Sequence, residues 1–574
     1  MNRSLALATT FLVTLTGTAA AQLTQLSNFS ANLPGGSSAG EIPAFDPGTN
    51  RLFVTSSNVT AGVHRVNIFD LSDPGSPVAG STIDFSGTFG ATANMSALSS
   101  VAVDPAGRGF GVAALIPTDN TGTLGRIGFF ETASGNLLGT IAVGYHPDSI
   151  SFNADGSRLV VANEGELNPA SGTNAAGSIS LLDLSGINAG NLASLPGLAA
   201  STYDFSAANL GPGVSLSGVR NHSIAAVGTA GAFIQTVPNF TTIGGNGVGS
   251  DPDFFRGMEP EFASFVGERV VVSLQENNAL GVFDLTSGKW EAIHKLGTVS
   301  QLIDATDTGS TASINQTVVG LPMPDALATF TVGNKTYAVT ANEGDARPDD
   351  RDISRLGDTS GNDTMNGTIL DPSIQNNATL RSNAELGRLN VSRLDGDSDN
   401  DGDIDVPTMI GTRSMSIWDV QTGELVADTG SLFEQMTLSL DAAGWQDGRS
   451  DDKGPEPEGL TIGTIYGRRY AFIGMERTSG IFMLDITDPE NPTFVDYHRV
   501  TDAGAVPLRP EGMTFVSAAD SPNGQNLLIV GYEGDGSSAT SERIVVFSVV
   551  PEPTSALLLG AGLVALAARR RRTP

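Results

Sequence analysis

The apolar positions of this chain come in short runs, separated by glycine-bearing turns rather than by long amphipathic stretches. One pattern recurs. An acidic residue beside a proline opens a short strand. A glycine turn follows, then a second, apolar strand that ends in glutamate. A third strand closes on apolar–apolar–Asp–apolar. The clearest copy is Pro147-Asp148-Ser149-Ile150-Ser151-Phe152, a turn at Asp155-Gly156, then Leu159-Val160-Val161-Ala162-Asn163-Glu164, with Asp183 on a third strand at 178–184. Equivalent copies open at Pro260-Glu261, Pro324-Asp325, Pro457-Glu458 and Pro510-Glu511, and their second strands reach Glu276, Glu343, Glu476 and Glu533. The third-strand aspartate returns as Asp284, Asp419 and Asp485. Weaker copies start near Glu41, with Asp70 on its third strand, and near Ser99.

These copies make seven units. Strands so short cannot bury both faces alone, so β units of this WD40/YVTN-like kind stack about an axis. The pattern predicts an all-β chain: a seven-bladed β-propeller with loop insertions, a long one falling inside the unit that opens at Asp325. Helical solenoids are excluded, because no unit sustains a 3.6-residue period. The alternative is a pair of smaller β domains, since residues 185–255 carry no strong repeat of their own. The last unit stops at its third strand, residues 543–549, and residues 23–29 stand before the first unit with no other home. Pairing the two supplies the missing outer strand, so the N-terminal strand is expected to close the ring.

Composition narrows the chemistry. Lys+Arg number 31 and Asp+Glu 62, a net charge of −31, which repels phosphate backbones and attracts cations. Nucleic acid is therefore not an expected partner. No cysteine is present, which removes disulfides, thiolate metal sites and cysteine nucleophiles. The five histidines are scattered, which argues against zinc held by histidine alone.

The two ends read as addresses. Residues 1–21 carry Arg3, an apolar run at 5–15 and Ala19-Ala20-Ala21, the pattern of a secretory signal peptide cleaved before Gln22. The other end reads Val550-Pro551-Glu552-Pro553, an apolar run at 556–568, then Arg569 to Arg572. The run is shorter than the roughly 18 residues of a permanent span, and the arginines hold its end in the cytoplasm. Residues 550–574 closely resemble a PEP-CTERM sorting signal with a short transmembrane segment, leaving 22–549 as the propeller. That resemblance implies a Gram-negative host, transient inner-membrane anchoring through the tail alone, and an exosortase-type sorting protease as partner. It also implies a cell-surface or extracellular destination, where extracellular polysaccharide or another surface ligand is the expected partner.

Longer strings carry a second resemblance. Asn163-Glu164-Gly165-Glu166, Gln275-Glu276-Asn277-Asn278-Ala279-Leu280, Ala341-Asn342-Glu343-Gly344-Asp345-Ala346-Arg347, Arg413-Ser414-Met415-Ser416-Ile417-Trp418-Asp419 and Gly454-Pro455-Glu456-Pro457-Glu458-Gly459 together resemble the choice-of-anchor I family, over about residues 30–548. The chain is also similar to the mesenchyme-specific cell-surface glycoprotein group, some of whose relatives are labelled alkaline phosphatases. The resemblance implies a propeller and a surface location, and it supplies no catalytic residue set.

Two constellations carry candidate chemistry. Asp397-Ser398-Asp399-Asn400-Asp401-Gly402-Asp403-Ile404-Asp405 sets carboxylates at loop positions 1, 3, 5 and 9 around a glycine at 6, with a backbone carbonyl at 7. Hard oxygen ligands at this spacing wrap calcium, so Asp397, Asp399, Asp401, Asp403 and Asp405 are the expected metal residues. Thr408 stands where a bidentate glutamate is usual, which points to a bare or dockerin-like calcium loop; a solvated acidic loop is the alternative. The second constellation follows from the propeller. The start of a first strand and the end of a second lie on one face of a blade. Glu164, Glu276, Glu343, Glu476, Asp325 and Glu458, with Asp148, Glu261, Glu511 and Glu533, should therefore converge on one channel mouth. Carboxylates that close favour a second divalent cation there, or raised pKa values. The plainer alternative is that each caps backbone N–H groups.

Other residues add less. His146 and His222 lack a partnering nucleophile, and Arg347 and Arg477 follow the mouth glutamates, where pairing with them is simpler than holding a phosphate. No P-loop, dinucleotide fingerprint or G-x-S-x-G is present. The expectation is a secreted, surface-sorted, calcium-binding propeller that acts as a binding or structural protein. The alternative is a metal-dependent phosphoesterase, alkaline phosphatase-like, working through the mouth carboxylates.

Overall fold

The computed structural model describes residues 21–33, 39–91, 94–168, 173–221, 254–308, 312–347, 352–358, 368–399, 401, 403–500, 508–534 and 542–551. The chain is all-β, and seven antiparallel sheets follow one another along these residues. Sheet one joins Ala39–Asp46, Arg51–Asn58, Val63–Asp70 and Val78–Asp84. Sheet two joins Val101–Val103, Phe110–Pro117, Arg126–Glu131 and Leu137–Ala142, with Met95–Ala97 added beside Phe110–Pro117. Sheet three joins Pro147–Phe152, Arg158–Asn163, Ser178–Asp183 and Ser201–Asp204. Sheet four joins Pro260–Val266, Arg269–Leu274, Ala279–Asp284 and Lys289–Lys295. Sheet five joins Leu327–Val332, Lys335–Asn342, Ser414–Asp419 and Leu425–Asp428. Sheet six joins Pro457–Ile465, Arg468–Met475, Gly480–Asp485 and Thr493–Arg499. Sheet seven joins Pro510–Val516, Asn526–Tyr532 and Arg543–Pro551, and its fourth strand is Ala21–Ser30.

The middle strands are buried on both faces, which is why they read as continuous apolar runs; every residue of Phe110–Pro117 is buried. The repeated third-strand aspartate has a local task. Asp70, Asp183, Asp284, Asp419 and Asp485 each accept a hydrogen bond from the backbone N–H two residues on, at 2.8–3.1 Å. This Asx turn starts the return into the fourth strand.

First strands pack on one another in chain order, and that of sheet seven packs on that of sheet one. Side chains tie neighbours together: Ser99 Oγ donates to Pro147 O, Ser149 Oγ to Glu261 O, and Thr514 Oγ1 to Pro43 O, all at 2.6–2.7 Å. First strands of all seven sheets contribute to the lining of one cavity of about 440 Å³, with an apolar wall that includes Ile150, Phe262, Leu460 and Met513.

The strand Ala21–Ser30 pairs antiparallel with Arg543–Pro551, Leu23 facing Val549, and both side chains enter the core shared by sheets six and seven. Both strands run past the expected ends, so Pro551 of the Pro-Glu-Pro motif pairs with Ala21. The insertion of sheet five packs with Val299–Ile303 and Gln316–Leu321 around its own core of Ile303, Val318, Leu356, Leu389, Ile404 and Met409. A ten-residue helix, Leu432–Asp441, was not announced by the repeat. Among the described residues no helix is long and apolar enough to cross a membrane. This is at odds with the transmembrane expectation; the segment at 556–568 lies outside the described residues, as does all of the signal peptide expected at 1–21 except Ala21, which is the first residue of the strand Ala21–Ser30.

Candidate functional site

The Pro–acid step of the repeat is a β-bulge. Pro147 faces Asn163 and Ile150 faces Val161, so Asp148 and Ser149 together oppose Ala162. Sheets four, six and seven repeat the irregularity between Pro260 and Ala263, Pro457 and Leu460, and Pro510 and Met513. A bulge bends its strand and re-aims a side chain. In sheet five the Asp325 N–H donates to Ala341 O and the Ala341 N–H to Ala326 O, both at 3.0 Å. As a result Asp148, Glu261, Asp325, Glu458 and Glu511 line one cavity of about 360 Å³ that adjoins the apolar cavity. Glu343 and Glu476 join them from the second strands.

A second regularity lies one residue earlier. His146, Met323, Glu456 and Arg509 each precede the opening proline and hold left-handed backbone, with φ between +44° and +55°. Their carbonyls accept the N–H of Glu164, Gly344, Glu476 and Glu533 at 2.9–3.1 Å. In sheets three and seven the pre-proline side chain is the ionic partner of the second-strand glutamate. His146 takes Glu164, with Nδ1 2.7 Å from Oε2, and Arg509 takes Glu533 at 3.1 Å. Met323 offers nothing ionic, and Glu343 turns to Lys453 at 2.6 Å. Glu164 and Glu276 do not line the cavity. Sheet four presents Gln275 instead, whose Nε2 donates to Glu343 Oε2 at 3.0 Å.

The carboxylates of Asp148, Glu261, Asp325 and Glu458 accept no hydrogen bond and form no ion pair among the described residues, and Glu458 Oε2 is a buried oxygen with no partner. Among the described residues, none of these four carboxylates caps a backbone N–H group. Burial, then the charge of Glu164, pushes Asp148 up to about 7. Burial and neighbouring carboxylates hold Glu261, Asp325 and Glu458 well above the usual range. Burial, then Glu456 and Glu343, pushes Glu476 up to about 9. Glu456 is the exception. It is fully buried, but Lys453, Arg477 and Arg449 outweigh the desolvation and hold it down to about 2.

Two carboxylate triads can hold an ion, Asp325–Glu343–Glu458 and Glu343–Glu456–Glu476, each with one oxygen per residue within 4.8 Å of the others. Only the first contains an orphaned oxygen without a guanidinium or ammonium on every member, so it fits a divalent cation better. Arg477 pairs with Glu476 at 2.8 Å and Glu456 at 3.0 Å, and Arg347 pairs with Glu259. Ser99 and Ser149 line the mouth with their hydroxyls donated to carbonyls rather than to a base. His222 lies outside the described residues.

The acidic loop gathers differently from the spacing-based expectation. Asp397, Asp399 and Asp405 present oxygens to one point, and Asp405 also meets Asp403 and Asp371. Asp401 belongs to neither group; its N–H instead donates to Asp397 Oδ1 and Asp399 Oδ1 at 3.2 Å. Asp403 Oδ1 is buried without a partner, as a missing cation would leave it, so the donor set fits calcium. Sequence reasoning missed Asp371, which the Asp371 N–H to Ile404 O bond draws in at 3.0 Å. It also missed Lys453, and it gave no role to Glu456 within the string 454–459. The available signal was the pre-proline position of Glu456.

A family model described as the choice-of-anchor I domain matches residues 41–489, and one described as the PEP-CTERM protein-sorting motif matches residues 549–572. Gigasin-3a of Magallana gigas is 29% identical over 185 residues, an alignment that covers 28% of this chain and 63% of that relative, so the chain spans less than two thirds of its length. Among solved structures, hydrazine synthase of Kuenenia stuttgartiensis has 12% identity and a TM-score of 0.40, covering 91% of this chain and 98% of its own. The WD40 domain of Toxoplasma gondii coronin has 8% identity and a TM-score of 0.40, covering 93% and 90%.

Proposed function

The chain belongs to the choice-of-anchor I family, and from that premise we propose that it is an exported, surface-sorted, calcium-binding seven-bladed β-propeller that acts as a binding or structural protein of the cell surface or extracellular matrix. The seven sheets that line one cavity support the blade count, and the pairing of Ala21–Ser30 with Arg543–Pro551 supports closure by the N-terminal strand. The PEP-CTERM motif implies recognition by exosortase-type sorting machinery and export in a Gram-negative bacterium.

One observation carries the binding role. Unpaired carboxylates from four sheets meet at one mouth, next to an apolar cavity. Such a mouth takes a divalent cation, which in turn offers open coordination positions to a surface ligand. A metal-dependent phosphoesterase would gain from a side-chain cation that shares the phosphoryl oxygens with the metal, or from a hydroxyl nucleophile beside a base. Lys453 and Arg477 are committed to carboxylates, and Ser99 and Ser149 to carbonyls, which favours binding over hydrolysis.

Metal analysis of the purified protein, with Ca²⁺ and Mg²⁺ titration and p-nitrophenyl phosphate as the esterase probe, tests this. Bound cation should fall in a Glu261→Gln, Glu458→Gln double variant, which should melt higher than the parent in chelator near neutral pH, because folding no longer has to protonate or bury two unpaired carboxylates. Metal-dependent turnover of the probe that disappears in Glu343→Gln would establish the esterase instead.

A further inference from the structure

We infer that His146, Glu164 and Glu166 form a site for a divalent transition-metal ion of the zinc type, distinct from the calcium loop and from the carboxylate triad of the mouth. His146 Nδ1 lies 2.7 Å from Glu164 Oε2 and 3.3 Å from Glu166 Oε2. All three ligand atoms lie within 4.8 Å of one another. The imidazole nitrogen is buried, yet it is aligned for a hydrogen bond to neither carboxylate. Three donor atoms this close, with the nitrogen out of hydrogen-bond alignment, is an arrangement that a metal ion can use.

The backbone builds this convergence. The Glu164 N–H donates to His146 O at 2.9 Å, which holds the two side chains together. Gly165 then turns at φ +86°, so close to the neighbouring chain that a Cβ would sit 2.3 Å from Gly177 N. Glu166 follows at φ +28°, which returns its carboxylate to the side occupied by Glu164. Left-handed backbone at two non-glycine residues of one small cluster is costly and persists where the surroundings impose it. A further contact orients the set. Asn120, from the loop before the third strand of sheet two, donates through Nδ2 to Glu166 Oε2 at 2.9 Å. Outer-shell donors of this kind fix ligand carboxylates in metal sites.

The donor set selects the ion. Calcium and magnesium take oxygen ligands, whereas an imidazole nitrogen with two carboxylates suits zinc and its neighbours. The ion's two charges match the two carboxylates beside a neutral imidazole. All three side chains keep some solvent exposure, so a fourth position remains for water or an incoming ligand.

The test is calorimetric titration of the purified protein with Zn²⁺ in saturating Ca²⁺. One saturable Zn²⁺ site is expected. His146→Gly, which suits the left-handed backbone, and Glu166→Gln should each weaken it at least about tenfold, and Asn120→Ala by about tenfold. Asp399→Ala should leave it unchanged. Co²⁺ should give visible d–d absorption that His146→Gly removes. Absence of saturable Zn²⁺ binding, or equal binding in the parent and in both His146→Gly and Glu166→Gln, would overturn the site and leave an imidazolium paired to two carboxylates.

Discussion

Lys453 Nζ sits 2.6 Å from Glu343 Oε1, and the same ammonium lies 3.0 Å from Asp345 Oδ1 and 3.5 Å from Glu456 Oε2. Lys453 is buried, and its charge offsets the crowding of carboxylates on one side of the mouth. Lys453→Met should destabilise the protein by about 3–5 kcal/mol, the cost of leaving a buried partner unpaired. Urea unfolding reads the loss. Saturating Ca²⁺ or Mg²⁺ should recover part of it if a cation can take the vacated charge, and no recovery would argue against a cation in this mouth.

Glu476 sets the sign of the pH dependence. Its carboxyl is pushed up to about 9 by burial, then by Glu456 and Glu343, against Arg477. The folded state thus keeps a proton that the unfolded chain releases near pH 4.3, so stability falls as pH rises between about 4.3 and about 9. Glu261, Asp325 and Glu458 act in the same direction. Glu456 acts oppositely: held at about 2, it adds stability above its unfolded pKa that is lost as pH falls toward 2. In chelator the melting temperature should fall from about pH 5 to about pH 8, and saturating divalent cation should flatten the slope. A melting temperature that climbs over that range in chelator would contradict the raised carboxyls.

The repeat was legible because each feature is local to one strand or turn. The third-strand aspartates Asp183 and Asp284 mark Asx turns, and a turn of that kind is written in four residues. The bulges at Asp148 and Glu261 were visible only as a Pro–acid signature, since a bulge is defined by register against a second strand. The glutamates were harder. Glu164 and Glu343 occupy equivalent places in the repeat, but one turns to His146 and the other to Lys453. The deciding side chains lie before the first strand, of the same sheet for His146 and of the next sheet for Lys453, out of reach of the second-strand pattern. Asp371 is likewise brought to Asp403 by a bridge between Leu370 and Ile404 across the insertion.

Where the folded domain ends can be tested by truncation. Val549 is 1% exposed and packs in the core with Leu23. A chain ending at Pro551 should keep the parent melting temperature. One ending at Ser548 loses the Val549 side chain and its strand pairing, which should cost at least about 1.5–3 kcal/mol from apolar burial alone. Leu23→Ala should weaken the same seam by about 2–5 kcal/mol. Equal melting of the two truncations would show that the end of this strand pair contributes little to stability.

The acidic loop distinguishes shared ligands from bystanders. Asp405 belongs to both carboxylate groups, with Asp397 and Asp399 on one side and Asp371 and Asp403 on the other. Ser398 holds it in place, its N–H and Oγ donating to Asp405 Oδ2 at 2.7 and 2.8 Å. Asp403 is pushed up to about 6 by burial, then by Asp401, Asp371 and Asp405, the response of a carboxyl among like charges. An ion that binds only the folded chain raises its melting temperature, so Ca²⁺ should stabilise the parent and chelator should reverse the effect. Asp405→Asn should cancel most of that response, because it removes a ligand from both groups. Asp371→Asn should cancel part of it, and Asp401→Ala less than either, since the Asp401 carboxylate lies outside both groups. Scanning calorimetry with and without Ca²⁺ ranks the three variants. If Asp401→Ala proves as damaging as Asp405→Asn, the ion sits in the first turn of the loop, as the spacing alone suggests, and Asp371 plays no part in holding it.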